Sequence, residues 1–160
     1  VRSQRKLFHN ILPMTELFSH EYFMKKALQE AEIAFEKGEI PVGAIIIAQD
    51  KIIGRGHNLT EQLTDVTAHA EIQAITAASQ YLNGKYLRNC KLYVTLEPCC
   101  MCAGALYWSQ IDEIYVGAKD LKRGFSNFNV PLHPKTRIKF GVLAEESLNL
   151  IQKFFKNKRK

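Results

Sequence analysis

The chain has 160 residues, 46% hydrophobic and 24% charged, with four cysteines and a formal net charge of +6. That length suits one domain with its own core, and the composition excludes a disordered, low-complexity or collagen-like chain and a small disulfide scaffold. The longest apolar run, residues 42–48, falls far short of the ~18 residues of a membrane span, and no signal-peptide pattern opens the chain, so a cytoplasmic protein without a membrane anchor is expected.

In chain order, residues 1–13 read as an appendage ahead of Met14, and residues 14–160 as a single domain. Residues 20–37 have helical periodicity, with Phe23, Ala27, Ala31 and Ala34 on one stripe and Leu28 and Phe35 beside it. Ser19 is placed to cap that helix and Gly38 to end it. Two strand-like runs follow, 42–48 and 51–56, joined through Gln49-Asp50 as a hairpin. A polar loop over 58–67 leads to a second helix over 68–82, stopped by Asn83-Gly84. Residues 91–96 alternate as a strand, and Pro98 is expected in the first turn of a third helix running to Ser109. A short strand over 113–117, an irregular stretch over 118–134, a fifth strand over 136–142 and a closing helix over 144–156 complete the order. Helices alternating with strands after an opening hairpin predict an α/β protein of three layers, a five-stranded mixed sheet with helices on both faces.

Charge is spread unevenly along this order. Residues 1–118 carry a net −2 and residues 119–160 a net +8, ending in Lys156, Lys158, Arg159 and Lys160. Such a stretch fits a polyanionic partner, or else a solvated tail.

The chemistry concentrates in the cysteines. Cys99, Cys100 and Cys102 crowd together in a way no framework of separate disulfides requires. Cys99 and Cys102, three apart at a helix start, turn both sulfurs to one side, where the exposed N–H groups favour thiolates. Cys90 and Cys100 read instead as small buried hydrophobes. His69, thirty residues before Cys99, opens the other helix, and a helix, a turn and a strand return the chain to the same sheet edge. Three protein ligands leave a fourth position for water, the arrangement of a catalytic zinc. Glu71 is placed to serve that water as a general base without ligating the metal.

The pair His69-Ala70-Glu71 and Pro98-Cys99-Cys100-Met101-Cys102 matches the H-x-E and P-C-x-x-C signature of zinc deaminases. The flanking runs resemble the bacterial tRNA-specific adenosine deaminases of the cytidine deaminase superfamily from Ser19 to Arg159. They include Ile40-Pro41-Val42-Gly43-Ala44, Gly54-Arg55-Gly56-His57-Asn58, Leu92-Tyr93-Val94-Thr95-Leu96-Glu97-Pro98-Cys99 and Met101-Cys102-Ala103-Gly104-Ala105. The resemblance implies a cytidine-deaminase-like fold, one zinc per subunit held by His69, Cys99 and Cys102, and conversion of adenosine to inosine at the wobble position of a tRNA anticodon stem-loop. Glu71 would then shuttle protons, from a zinc-bound water that attacks as hydroxide to the base and the departing ammonia. Asn58 would hydrogen-bond the target base, Ile40, Pro41 and Val42 would wall its pocket, and the backbone at Ala70 and Cys99 would hold the geometry. Asp120, Phe155, Lys156 and Arg159 would contact the RNA, and two copies would form a homodimer. Where relatives have Pro, this chain has Val66, and its 118–134 stretch departs from their pattern. There Phe125 and Phe128 suit either stacking on splayed bases or filling a core.

Two other functions fit parts of the sequence. Gly104-Ala105-Leu106-Tyr107-Trp108 also resembles guanine deaminases, so a deaminase of free guanine or cytosine is the alternative. A zinc-stabilised RNA-binding module without catalysis is the third, and Glu71 speaks against it, since nothing structural needs a carboxylate there. Met101, Leu106 and Tyr107 are expected on an exposed face compatible with dimerisation.

Overall fold

The computed structural model describes residues 18–159; the appendage expected over 1–13 lies outside them. Helix α1 (His20–Glu36) begins at Ser19, whose hydroxyl accepts the Tyr22 N–H at 3.1 Å, and Gly38 follows its end at φ +76°. Strands β1 (Gly43–Ala48) and β2 (Lys51–His57) form the expected hairpin, with Gln49 and Asp50 both at positive φ, as a two-residue turn between twisted strands requires. Helix α2 (Ala70–Leu82), strand β3 (Cys90–Leu96), helix α3 (Cys100–Ser109), strand β4 (Glu113–Ala118), strand β5 (Arg137–Lys139) and helix α4 (Ala144–Lys158) follow.

The sheet has the order β2-β1-β3-β4-β5. Strand β1 runs antiparallel to both of its neighbours, β2 and β3, and β3, β4 and β5 run parallel to one another. Alternation along the buried strands divides the core. Ile45, Ile47, Tyr93 and Tyr115 meet Phe23, Met24 and Ala27 of α1 on one face. Ala44, Ile46, Leu92, Val94, Ile114 and Val116 meet Ala70, Ala74 and Ala78 of α2 and Leu106 of α3 on the other. Helix α4 shares the α1 face, with Phe154 edge-on to Phe35 at 6.0 Å between ring centroids. The three-layer α/β architecture with a five-stranded mixed sheet is therefore the observed one.

Four local expectations need correction. The fifth strand keeps only three of its expected residues, because Gly141 turns through φ +91° and the chain thereafter bonds to β4 out of register, Gly141 N–H to Gly117 O and Val142 N–H to Val116 O. Pro98 precedes the cap of α3 rather than lying in its first turn, since Cys99 takes the extended cap conformation. Cys100 is exposed, on the outer side of the helix that buries Cys102. Leu106 is buried against the sheet, so the outward face of α3 consists of Met101 and Trp108 with Tyr107 half-buried.

Candidate active site

The carboxyl ends of β2, β3 and β4 and the amino end of β1 share one edge of the sheet, by the antiparallel and parallel pairing just described. Ligands of open α/β sheets gather at such an edge. The segments leaving it carry Ile40-Pro41-Val42, Asn58, Pro98-Cys99 and Asp120, and both α2 and α3 start beside it.

What brings α2 close is the small-residue surface of β2. Gly54 and Gly56 lie under Ala70, Ala74 and Ala78, and there is no room for a Cβ at either glycine. The helix therefore rests on bare backbone, and its first turn delivers His69 and Glu71. His69 caps α2 and Cys99 caps α3, both in extended conformation and neither making a side-chain capping bond. Cap positions are usually held by Ser, Thr, Asp or Asn, which satisfy first-turn N–H groups. Here both side chains turn away from that task and toward each other.

His69 Nδ1 lies 3.6 Å from Cys99 Sγ and 3.5 Å from Cys102 Sγ, and all three ligand atoms fall within 4.8 Å of one another. Around a tetrahedral zinc with Zn–S about 2.3 Å and Zn–N about 2.0–2.1 Å, the N···S edge is about 3.5 Å. The donor set and its spacing thus fit zinc. Hydrogen bonding from Cys102, then His69, pulls the Cys99 thiol down to about 4. Cys102 is pushed up by its bond with Cys99 and by burial, and His69 is raised by its bond to Cys99. A divalent cation takes the place of these shared protons.

Glu71, 3% exposed, sits in the first turn of α2 beside Cys102 and His69. Burial holds its carboxyl above the usual carboxylate range, opposed by hydrogen bonding with Cys102. A carboxyl in such a place is suited to accept a proton and return it. Asn58 is buried on the facing segment: its N–H reaches Val42 O at 3.1 Å, its side-chain amide donates to Ile40 O at 3.3 Å, and its side-chain oxygen accepts the Thr60 N–H at 3.1 Å. Pro41 is buried, Val42 half-buried and Ile40 exposed at the rim. Ala70 opens α2, so first-turn N–H groups of two helices lie at the cluster.

The outer residues divide. Asp120 Oδ1 accepts the N–H groups of Lys122 and Arg123 at 3.1 and 3.0 Å, which shapes the loop after β4. Phe125 is buried there and Phe128 exposed, so only the second is free to stack on a base. Phe155, Lys156 and Arg159 are exposed at the end of α4, which packs on the α1 face of the sheet.

Three buried acids escaped the sequence reading, Glu30, Glu39 and Glu97, and the last two tie loops to this edge. Glu97, just before Pro98, accepts the Ser126 N–H at 3.1 Å and hydroxyl at 2.8 Å, while the Phe125 N–H bonds to Pro98 O at 2.9 Å. It ties the loop after β4 to the segment bearing Cys99. Glu39 does the same for the loop after β2. Neither has a sequence signal, because their partners are backbone groups more than twenty residues away.

A sheet edge presenting a His-Cys-Cys cluster and a buried glutamate defines a metal-dependent deaminase, and the chain belongs to the cytidine and deoxycytidylate deaminase family, whose zinc-binding region matches residues 18–118. Within it, the chain is 50% identical over 144 residues to the tRNA-specific adenosine deaminase of Aquifex aeolicus (strain VF5), covering 87% of this chain and 95% of that one. It is 41% identical over 146 residues to the enzyme of that name from Bacillus subtilis (strain 168), covering 88% and 91%. A solved structure from work on A-to-I editing by tRNA:A34 deaminases at the wobble position of transfer RNA superposes with a TM-score of 0.74 at 39% identity, over 81% of this chain and 98% of that chain. The guanine deaminase of Bacillus subtilis superposes less fully, with a TM-score of 0.62 at 35% identity over 70% and 71%.

Proposed function

We propose that this protein hydrolyses adenosine to inosine and ammonia at the wobble position of a tRNA anticodon. One observation carries the reading: a buried Glu71 beside a zinc-spaced His-Cys-Cys cluster, in a chain similar over nearly its whole length to tRNA-specific adenosine deaminases.

His69, Cys99 and Cys102 would hold the zinc, which when bound would act as a Lewis acid and make water a nucleophile at neutral pH. Asn58 fixes the base by its carboxamide, and Pro41 and Val42 exclude water from one side of it. Glu71 removes a proton from the attacking water and delivers it to the ring nitrogen as the C–O bond forms at C6. It then passes the water's second proton to the amino group, and the C–N bond breaks to release ammonia. The backbone N–H groups of Ala70 and Cys99 steady the geometry. The net +8 of residues 119–160 attracts the phosphates, with Asp120, Phe128, Phe155, Lys156 and Arg159 around the anticodon loop.

The working form in this reading is a cytoplasmic homodimer. Trp108 is 76% exposed and Met101 lies beside it on the outward face of α3, where Gly104 has open space around it. A Trp and Met so placed fit an interface core. Light scattering should give twice the mass of one chain, and Trp108→Glu should give the single chain.

The test uses zinc-loaded protein with an anticodon stem-loop carrying wobble adenosine, beside a panel of free bases and nucleosides. Inosine in the stem-loop is the expected product. Ammonia from free guanine with no inosine in RNA would move the function to the guanine deaminases, whose Bacillus subtilis member shares 35% identity.

A further inference from the structure

Glu39 is a buried acid with no part in the chemistry above. Glu39, 1% exposed, lies in the connection between α1 and β1, and among the described residues it forms no ion pair. It faces backbone. Its Oε1 accepts the Gln62 N–H at 2.7 Å, and its Oε2 accepts the Glu61 N–H at 3.2 Å and the Thr60 hydroxyl at 3.5 Å. A carboxylate is tolerated in such a place only because charge-assisted bonds replace its water.

The turn it holds is the one that orients Asn58. Thr60 donates its N–H to the Asn58 side-chain oxygen at 3.1 Å, so the residue that fixes the oxygen also reaches Glu39 with its hydroxyl. The carboxamide nitrogen is fixed at 3.3 Å by the carbonyl of Ile40, the residue directly after Glu39. Both ends of the amide are therefore referred to one buried group. A carboxamide has two donor hydrogens and two acceptor lone pairs, and this arrangement uses one of each. One donor and one acceptor remain, the pair needed to read a base edge.

We propose that Glu39 is a positioning residue for the reaction, locking the 58–62 turn so that the Asn58 carboxamide presents its free donor and acceptor to the substrate base. The proposal rests on the reading of Asn58 as the base-binding residue. Glu39 never touches the substrate, and its effect passes through Asn58.

The experiment is a double-mutant cycle on zinc-loaded protein: wild type, Glu39→Gln, Asn58→Ala and the double variant, assayed for kcat and KM on the anticodon stem-loop with zinc measured in each. Glutamine keeps the shape but sets an NH2 against one of the backbone donors, and its remaining oxygen is uncharged. E39Q should lower kcat/KM about tenfold in the wild-type background and less than about twofold once Asn58 is alanine, with zinc content unchanged. Equal losses in both backgrounds, no loss from E39Q, or a loss explained by missing zinc would each overturn the proposal while leaving Asn58 in place. If N58A alone is as active as wild type, the base-binding reading falls and this proposal with it. Should E39Q fail to fold, Glu39→Asp, which keeps the charge but is one methylene too short for the turn, is taken through the same cycle: a loss confined to the Asn58 background supports the proposal, and equal losses in both backgrounds overturn it.

Discussion

Gly56→Ala tests whether β2 sets the zinc site through its bare backbone. A Cβ at Gly56 would fall on the Ala70 carbonyl and lie 2.8 Å from Ala74 N and from Gln73 Cβ, where ordinary contact starts at 3.4 Å. The start of α2 must then retreat by at least 0.6 Å, the difference between those distances, and by more at Ala70. Ala70 follows His69 directly, and a metal site accepts deviations of only about 0.2 Å in its ligand distances. Zinc affinity should therefore fall about 10–100-fold, the range seen when support around a ligand is disturbed. Overpacking of this kind costs about 1–3 kcal/mol, which for a chain of this size lowers Tm by roughly 2–12 °C. Gly54→Ala is the control. Its Cβ would lie 2.5 Å from Ala74 O and 2.9 Å from Ala78 N, so the crowding is similar but presses a turn further along α2. Chelator competition and thermal unfolding on both variants decide the matter. Similar Tm losses with zinc weakened mainly in G56A is the expected pattern; equal zinc affinities in the two variants would refute the reasoning.

Glu71→Gln should keep zinc and RNA binding while kcat falls by about 10²–10⁴-fold or more; turnover near wild type would remove Glu71 from proton transfer. Gly124→Ala places a Cβ on the Glu97 carboxylate and should free the loop after β4, raising KM for the stem-loop with kcat nearly unchanged, as steady-state kinetics on zinc-loaded protein would record. His20, bonded through Nδ1 to the Tyr93 hydroxyl at 2.8 Å and stacked on Tyr115, is held below its usual 6.5 by burial, then by Lys139 and Lys91, with Glu113 opposing. The folded state thus binds this proton less well than the unfolded chain. Stability should fall as pH drops below 6.5 toward the lowered folded value, and urea unfolding should give a flatter pH profile over that window for His20→Gln. An unchanged slope would show that His20 does not set it.

Much of this was legible because it is local. Ser19 and Gly38 bracket α1 through caps that depend on neighbouring residues, and Gln49-Asp50 is legible as a turn because only these two residues separate two strand-like runs. The His69, Cys99 and Cys102 cluster was legible because cysteine and histidine at helix starts have few other uses. The departures arise where distant groups decide. The 136–142 run has the composition of a strand, yet only residues 137–139 pair as one, since Gly141 and the path into α4 draw the rest away. Cys100 has the same side chain as Cys102 and lies outside the core because of its angle around α3. Glu39 and Glu97 carry no signal in sequence, and only the folded chain brings the backbone N–H groups of residues 61, 62 and 126 to them.

The two uncapped helix starts set stability against activity at the same two positions. Replacing His69 or Cys99 with Asp or Ser would supply the missing cap, a gain of about 0.5–2 kcal/mol for each helix. The same change would delete a ligand and with it the metal. Selection for thermal robustness alone would thus drift toward a firmer, inert protein, and a screen that scores only folding would favour the variants that have lost the reaction.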